Sequence, residues 1–211
     1  MISIINYEAG NLTSVKRALD YLKIPNEITN DPQKILSSKA IIFPGVGAAG
    51  AAMSYLKKQT LDQTLKQAKK KSIPILGICL GCQVILDFSE EGNTKTLGLI
   101  KGKCKKFSLD LKENGIPINI PHMGWNQVQL HKECLLFEHI DSASEFYFVH
   151  SYYPDPHPEF IIGTTCYGLN FCSVLGQTGL WAVQFHPEKS GRPGLKLLEN
   201  FYNFAWRRYN A

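Results

Sequence analysis

The sequence predicts an α/β fold: a mixed, mostly parallel central sheet flanked by helices. Three features carry that prediction. Short aliphatic runs alternate with helix-period segments through the first half, the pattern of βαβ units. Those runs are apolar throughout, as strands covered on both faces are. From about Cys104 to Phe185 the helical period gives way to strand-like runs and turns, so only one half of the sheet is expected to be parallel.

Met1 to Asn6 reads as the first strand. Leu12, Val15, Ala18, Leu19 and Leu22 recur at helical spacing. Lys39 to Phe43 is a short apolar strand, followed by the loop Pro44-Gly45-Val46-Gly47. A helix is predicted from about Ala49 to Lys70, then a strand over Pro74 to Ile78 and a helix-compatible run from Gln83 to Phe88. Later strands are expected at Ile118 to Ile120, Gln127 to Leu130, Glu145 to His150, Phe160 to Cys166, Phe171 to Leu175 and Leu180 to Phe185. A last helix, roughly Gly194 to Arg208, packs Leu195, Leu198, Phe201, Tyr202 and Ala205, and Trp206 is expected in the core. Ligands of parallel sheets bind beyond the carboxyl ends of the strands, which is where the Pro44–Gly47 loop and Cys79 fall.

With 211 residues, 44% of them hydrophobic, and no visible linker or repeat, residues 1–211 are expected to form one domain that buries about 70% of its unfolded surface. The first residues alternate apolar and polar, which is unlike a secretory signal. No apolar run approaches the roughly 20 residues that span a bilayer, so no membrane role is expected. The six cysteines, Cys79, Cys82, Cys104, Cys134, Cys166 and Cys172, show no disulfide-framework spacing. Free thiols in a reducing cytoplasm account for them. The net charge of +5 is modest. Lysine clusters at Lys66–Lys71 and Lys101–Lys106 read as a solvated helix end and a solvated hairpin. A nucleic-acid site would interleave aromatics with such charge, and only Phe107 is near, so none is expected.

The chemistry concentrates in two segments. Ile73-Pro74-Ile75-Leu76-Gly77-Ile78-Cys79-Leu80-Gly81-Cys82-Gln83 is a strand, a sharp turn and a helix start, with glycines two residues before and after Cys79. That is the arrangement of a nucleophile elbow with cysteine as nucleophile. Side chains at the two glycines would meet neighbouring backbone. The helix N-terminus behind the sulfur favours the reactive thiolate. Far along the chain, another apolar strand ends in His186-Pro187-Glu188. Pro187 biases His186 toward an extended backbone, and in an extended chain positions i and i+2 share a face. Glu188 can then fix the His186 tautomer, giving nucleophile, base and orienter. A buried structural thiol is the plain alternative for Cys79, a strand-end turn with a surface carboxylate that for His186 and Glu188. Cys79 and Cys82 also form a Cys-x-x-Cys pair, open to a redox or metal reading, but no second such pair exists. His122 and His150 lack a carboxylate two residues on; His131, His139 and His157 read as surface residues.

Attack on an acyl carbon builds an oxyanion that needs preorganised N–H donors. The Leu80 N–H, directly after the nucleophile, is one expected donor. The loop Gly45, Val46 and Gly47 is the expected source of another. The cycle needs no metal and no organic cofactor.

The elbow with the later His-Pro-Glu resembles the class I (triad) glutamine amidotransferases. Asn6 to Leu12, Pro44 to Gly47, Pro121 to Asn126, Phe148 to Tyr152 and Gln184 to Ser190 narrow the resemblance to the glutaminase subunits of imidazole glycerol phosphate synthases, over nearly the whole chain. The resemblance implies a class I glutamine amidotransferase-like fold and hydrolysis of glutamine to glutamate and ammonia. It also implies a heterodimer with a (β/α)8-barrel cyclase that takes the ammonia in histidine biosynthesis. It assigns Gln83, Ser151 and Tyr152 to the amino-acid end of the substrate, and Trp125, Asn126, Tyr147 and Lys189 to the face that meets the partner. It further implies that the Pro44–Gly47 loop turns no N–H inward until the partner is engaged. Asn6, Glu8-Ala9 and Cys82 depart from the family's more usual Asp, Gly-Met and Met. Other readings share this chemistry or this fold: a glutaminase feeding a sugar-modifying amidotransferase, a stand-alone γ-glutamyl hydrolase, or a non-catalytic partner subunit.

Overall fold

The computed structural model describes residues 1–7 and 10–210, without the side chains of 209 and 210; the departures at Glu8 and Ala9 lie outside the described residues. The first half runs β1 (Ile2–Ile5), α1 (Leu12–Tyr21), β2 (Asn26–Thr29), α2 (Pro32–Ser37), β3 (Ala40–Phe43), α3 (Ala49–Lys58), α4 (Leu61–Lys70), β4 (Ile75–Ile78) and α5 (Leu80–Val84). It continues through β5 (Phe88–Ser89), β6 (Thr94–Lys95), β7 (Gly102–Lys106), β8 (Lys112–Glu113), β9 (Ile116–Pro117), β10 (His122–Gln127), β11 (Gln129–Leu130), β12 (Glu145–His150) and β13 (Tyr152–Pro156). β14 (Ile161–Cys166), β15 (Asn170–Gln177), β16 (Leu180–Val183) and α6 (Gly191–Asn210) complete it.

The central sheet has eight strands in the order β11-β14-β15-β16-β4-β3-β1-β2. The pairings from β16 through β2 are parallel, and those from β11 to β16 are antiparallel. The mixed, mostly parallel sheet is therefore as the sequence predicts. Successive strand residues feed opposite faces, as the two-residue pleat requires. Ile4, Ile42, Leu76, Ile78 and Val183 pack with Val15 and Leu19 of α1 and Leu198 and Phe201 of α6. Ile5, Ile41, Phe43, Ile75 and Ala182 pack with Met53 and Leu56 of α3 and Leu65 of α4. This double coverage explains why the strands show no polar alternation.

Several elements differ from the sequence reading. The helix predicted over Ala49 to Lys70 is two helices, broken at Thr60, whose φ is 57°. The buried stripe explains the break. Ala49, Ala52, Met53 and Leu56 would continue to position 60 in one unbroken helix, but the next buried apolar residues are Leu61, Leu65 and Ala68. The break re-phases the second helix so that both apolar faces reach the sheet. The helix after the elbow begins at Leu80, and Phe88 belongs to a strand. Ile118 to Ile120 is no strand; the small hairpin lies just before it. Lys101–Lys106 is largely β7, paired with β13 and β5 in a second sheet. Trp206 is 45% exposed rather than core, and the Lys39 ammonium sits 3.6 Å from its ring centroid.

Gly81 fixes the approach of α5 to β3. A Cβ built there would lie 1.8 Å from the Phe43 carbonyl oxygen, a backbone atom that no rotamer change moves. Gly81→Ala is expected to lower stability by about 3 kcal/mol or more, read as a fall in the urea midpoint.

Candidate active site

Cys79 stands between β4 and α5 with φ 53° and ψ −106°, a backbone that a non-glycine residue holds only under strain. Three backbone hydrogen bonds hold it. The Cys79 N–H donates to the Val183 carbonyl at 2.9 Å, Gln83 N–H to the Cys79 carbonyl at 3.2 Å, and Leu80 N–H to the Gly45 carbonyl at 3.1 Å. Gly77 lets the turn close: a Cβ there would sit 3.0 Å from the Gly81 carbonyl oxygen. The side chain is 6% exposed, yet it opens on a cleft of about 350 Å³.

β16 lies beside β4 with Val183 opposite Ile78. The chain leaving β16 therefore reaches His186 next to the elbow. His186 Nδ1 donates to Glu188 Oε1 at 2.8 Å, with the two side chains 1% and 0% exposed. The i, i+2 pairing expected from His-Pro-Glu is formed. Burial is the largest single influence on the imidazole and pushes its pKa down. The Cys79 sulfur and the Glu188 carboxylate together outweigh it and raise the pKa to about 10. Nε2 is buried and bonds to nothing among the described residues, which leaves it free for a reacting atom.

The cleft is lined by Val46, Gly47, Cys79, Leu80, Gln83, Ser151 and Tyr152, so residues the sequence analysis assigns to substrate and oxyanion converge on Cys79. The Leu80 N–H, however, is engaged by the Gly45 carbonyl. In this conformation the loop presents an acceptor where an oxyanion would need a donor. Trp125 is 54% exposed and meets Tyr147 across the β10–β12 pair at 6.0 Å between ring centroids. Lys189 Nζ lies 5.7 Å from the centroid of the Tyr147 ring. These three form one surface beside the site. Asn126 departs from them: it lies on the other face of β10 and its amide donates to the Cys166 carbonyl at 2.9 Å. Tyr147 also binds the His186–Ser190 turn through its backbone, accepting from His186 N–H at 2.9 Å and donating to Ser190 Oγ at 3.0 Å.

Three residues escaped the sequence reading. Asn11, at the start of α1, donates its amide to Glu188 Oε1. Glu91 places a carboxylate in the cleft, anchored by the Ala49 N–H at 2.7 Å. Gln184 is fully buried beside Cys79. Only Asn11 and Gln184 carried a signal, as members of the segments that resemble the family. His122 and His150, which lack a following carboxylate, are buried and neutral: desolvation lowers their pKa values to about 4 and about 3.

The class I glutamine amidotransferase profile matches residues 3–204. The chain belongs to the class I glutamine amidotransferase family. Among its amidotransferase relatives, imidazole glycerol phosphate synthase subunit HisH of Maridesulfovibrio salexigens is 56% identical over 97% of each chain. HisH of Dehalococcoides mccartyi is 46% identical over 97% of this chain and 98% of its own. The fold matches that of a chain in the structure of PurLQS from Thermotoga maritima, with a TM-score of 0.71 at 15% identity over 96% of this chain and 97% of the other. Among the described residues of this amidotransferase, no helix is long and apolar enough to cross a membrane.

The raised His186 pKa gives a test. Glu188→Gln removes one of the charges that hold the proton, so the pKa is expected to fall from about 10, read by imidazole NMR. The folded imidazole binds more protons than the unfolded one between about pH 6.5 and its folded pKa. Its contribution to stability is therefore complete below that window and is lost as pH rises through it. Glu188→Gln is expected to flatten this alkaline loss.

Proposed function

We propose that the chain is the glutaminase subunit of an imidazole glycerol phosphate synthase. It hydrolyses glutamine and delivers the ammonia to a (β/α)8-barrel cyclase subunit, for imidazole glycerol phosphate and AICAR formation in histidine biosynthesis. The observation that carries the chemistry is the buried His186–Glu188 pair beside the strained Cys79 turn, at the mouth of a cleft. The near-full-length identity to HisH subunits supports the choice of acceptor.

In this reading the Cys79 thiolate attacks the side-chain amide carbon of glutamine, and the carbonyl electrons move to oxygen. His186, protonated and held by Glu188, gives its proton to the departing nitrogen, and ammonia leaves. Water, deprotonated by His186, then attacks the thioester and releases glutamate. Gln83, Ser151 and Tyr152 hold the amino-acid end of the substrate, and the Glu91 carboxylate complements its ammonium group. Leu80 N–H, with a donor from Gly45 to Gly47, stabilises the oxyanion once the Gly45 carbonyl has turned away. That engaged N–H favours a glutaminase that is slow by itself and fast in its complex over a stand-alone hydrolase. Trp125, Tyr147 and Lys189 meet the partner, with Asn126 supporting the same strand from its other face.

The test is glutamate release by the purified chain, alone and with the cyclase and its nucleotide ligand. Slow turnover alone and strong stimulation by the pair are expected; fast turnover alone would overturn the reading. Cys79→Ser is expected to lose at least about 10³-fold in the complex, because an alkoxide forms far less readily than a thiolate. Trp125→Ala is expected to weaken cyclase binding by about tenfold or more with thermal stability nearly unchanged, measured by titration calorimetry and thermal melts.

A further inference from the structure

Gln184 continues β16 past Val183 and is fully buried between Cys79 and Gln83. Hydrogen-bond logic fixes which way its amide points. The Tyr152 carbonyl only accepts, so Gln83 presents its side-chain nitrogen there, at 3.0 Å. The second hydrogen of that nitrogen is donated to Gln184 Oε1, also at 3.0 Å. Gln184 therefore turns its own nitrogen toward Cys79 Sγ, 3.7 Å away. The sulfur also lies 4.0 Å from the Val149 carbonyl, an acceptor that suits the neutral S–H. A thiolate has no hydrogen to give that carbonyl and gains from the Gln184 donor.

We propose that Gln184 is a positioning residue for Cys79, holding the sulfur at the cleft and favouring its ionised form through an N–H···S hydrogen bond. The inference rests on the reading of Cys79 as nucleophile. A second run of hydrogen bonds reaches the same Tyr152 carbonyl from β10. His150 Nδ1 donates to the same Tyr152 carbonyl at 2.8 Å, and so its Nε2 accepts from His122 Nδ1 at 3.0 Å. His122 Nε2 in turn accepts from Asn126 at 3.4 Å. Every donor finds an acceptor only if both imidazoles are neutral, and burial keeps them so. The Tyr152 carbonyl thus accepts from both His150 and Gln83, and this shared acceptor orients Gln83 and, through it, Gln184.

The experiment is the pH dependence of Cys79 alkylation by iodoacetamide in the intact chain, resolved by peptide mass spectrometry from the other cysteines. Gln184→Met removes the donor at similar volume and is expected to move the midpoint up by about one pH unit. Gln184→Glu keeps the acceptor for Gln83 but turns an oxygen toward the sulfur, and is expected to move it further. Thermal melts identify which variants are folded. An unchanged or lowered midpoint in a folded variant overturns the proposal. Alkylation requires neither glutamine nor a partner. A shifted midpoint with failed glutamate release would therefore sink the functional reading alone, and an unchanged midpoint with normal release would sink this one alone.

Discussion

The hydrogen bond from the Cys79 N–H to the Val183 carbonyl joins the two halves of the site. It continues the parallel ladder between β4 and β16, whose last registered pair is Ile78 with Val183. Neither half is close to the other along the chain. The sheet places them side by side, so residue 79 and residues 184 to 186 emerge from neighbouring strand ends. A slip of one residue in this register would turn Cys79 and Gln184 to opposite faces and separate sulfur from donor. The glycines that let the turn close, Gly77 and Gly81, depend on the same frame, because what they avoid is the backbone of the turn itself and of β3.

Burial gives the polar groups their leverage. His186 and Glu188 are almost wholly removed from water, where a charge is expensive unless it is paired. The carboxylate pairs with the imidazole and takes a further hydrogen bond from Asn11. The same low dielectric strengthens the pull of Cys79 on the imidazole proton. His122 and His150 show the opposite outcome of burial. They have no carboxylate beside them, so desolvation wins and they stay neutral donors and acceptors within the aromatic cluster of Phe107, Phe148 and Phe171.

Much of this was legible in the sequence because it is written locally. Strands buried on both faces show as unbroken aliphatic runs, and the elbow and His-Pro-Glu are short motifs with fixed spacing. What escaped depends on contacts between distant segments. The split between α3 and α4 follows from where the sheet needs apolar side chains, and the helical period at Lys57 to Thr60 does not reveal it. Trp206 lies on the outward side of α6, where Lys39 from a distant segment partly covers its ring. Glu91 reaches the cleft only through the path of the loop after β5. The resemblance implies a Pro44–Gly47 loop that turns no N–H inward, but not that the Gly45 carbonyl takes the Leu80 N–H.

Tyr147 has a further bearing on how the surface can vary. Its ring belongs to an exposed face, yet its backbone carbonyl holds the His186 N–H and its own N–H holds Ser190. The strand that shapes the outside is the strand that seats His186. Changes to the exterior here cannot be neutral drift in the way most surface changes are: a substitution that shifts β12 by a fraction of an ångström displaces the imidazole with it. Variation on this patch is therefore confined to side chains that leave β12 where it is.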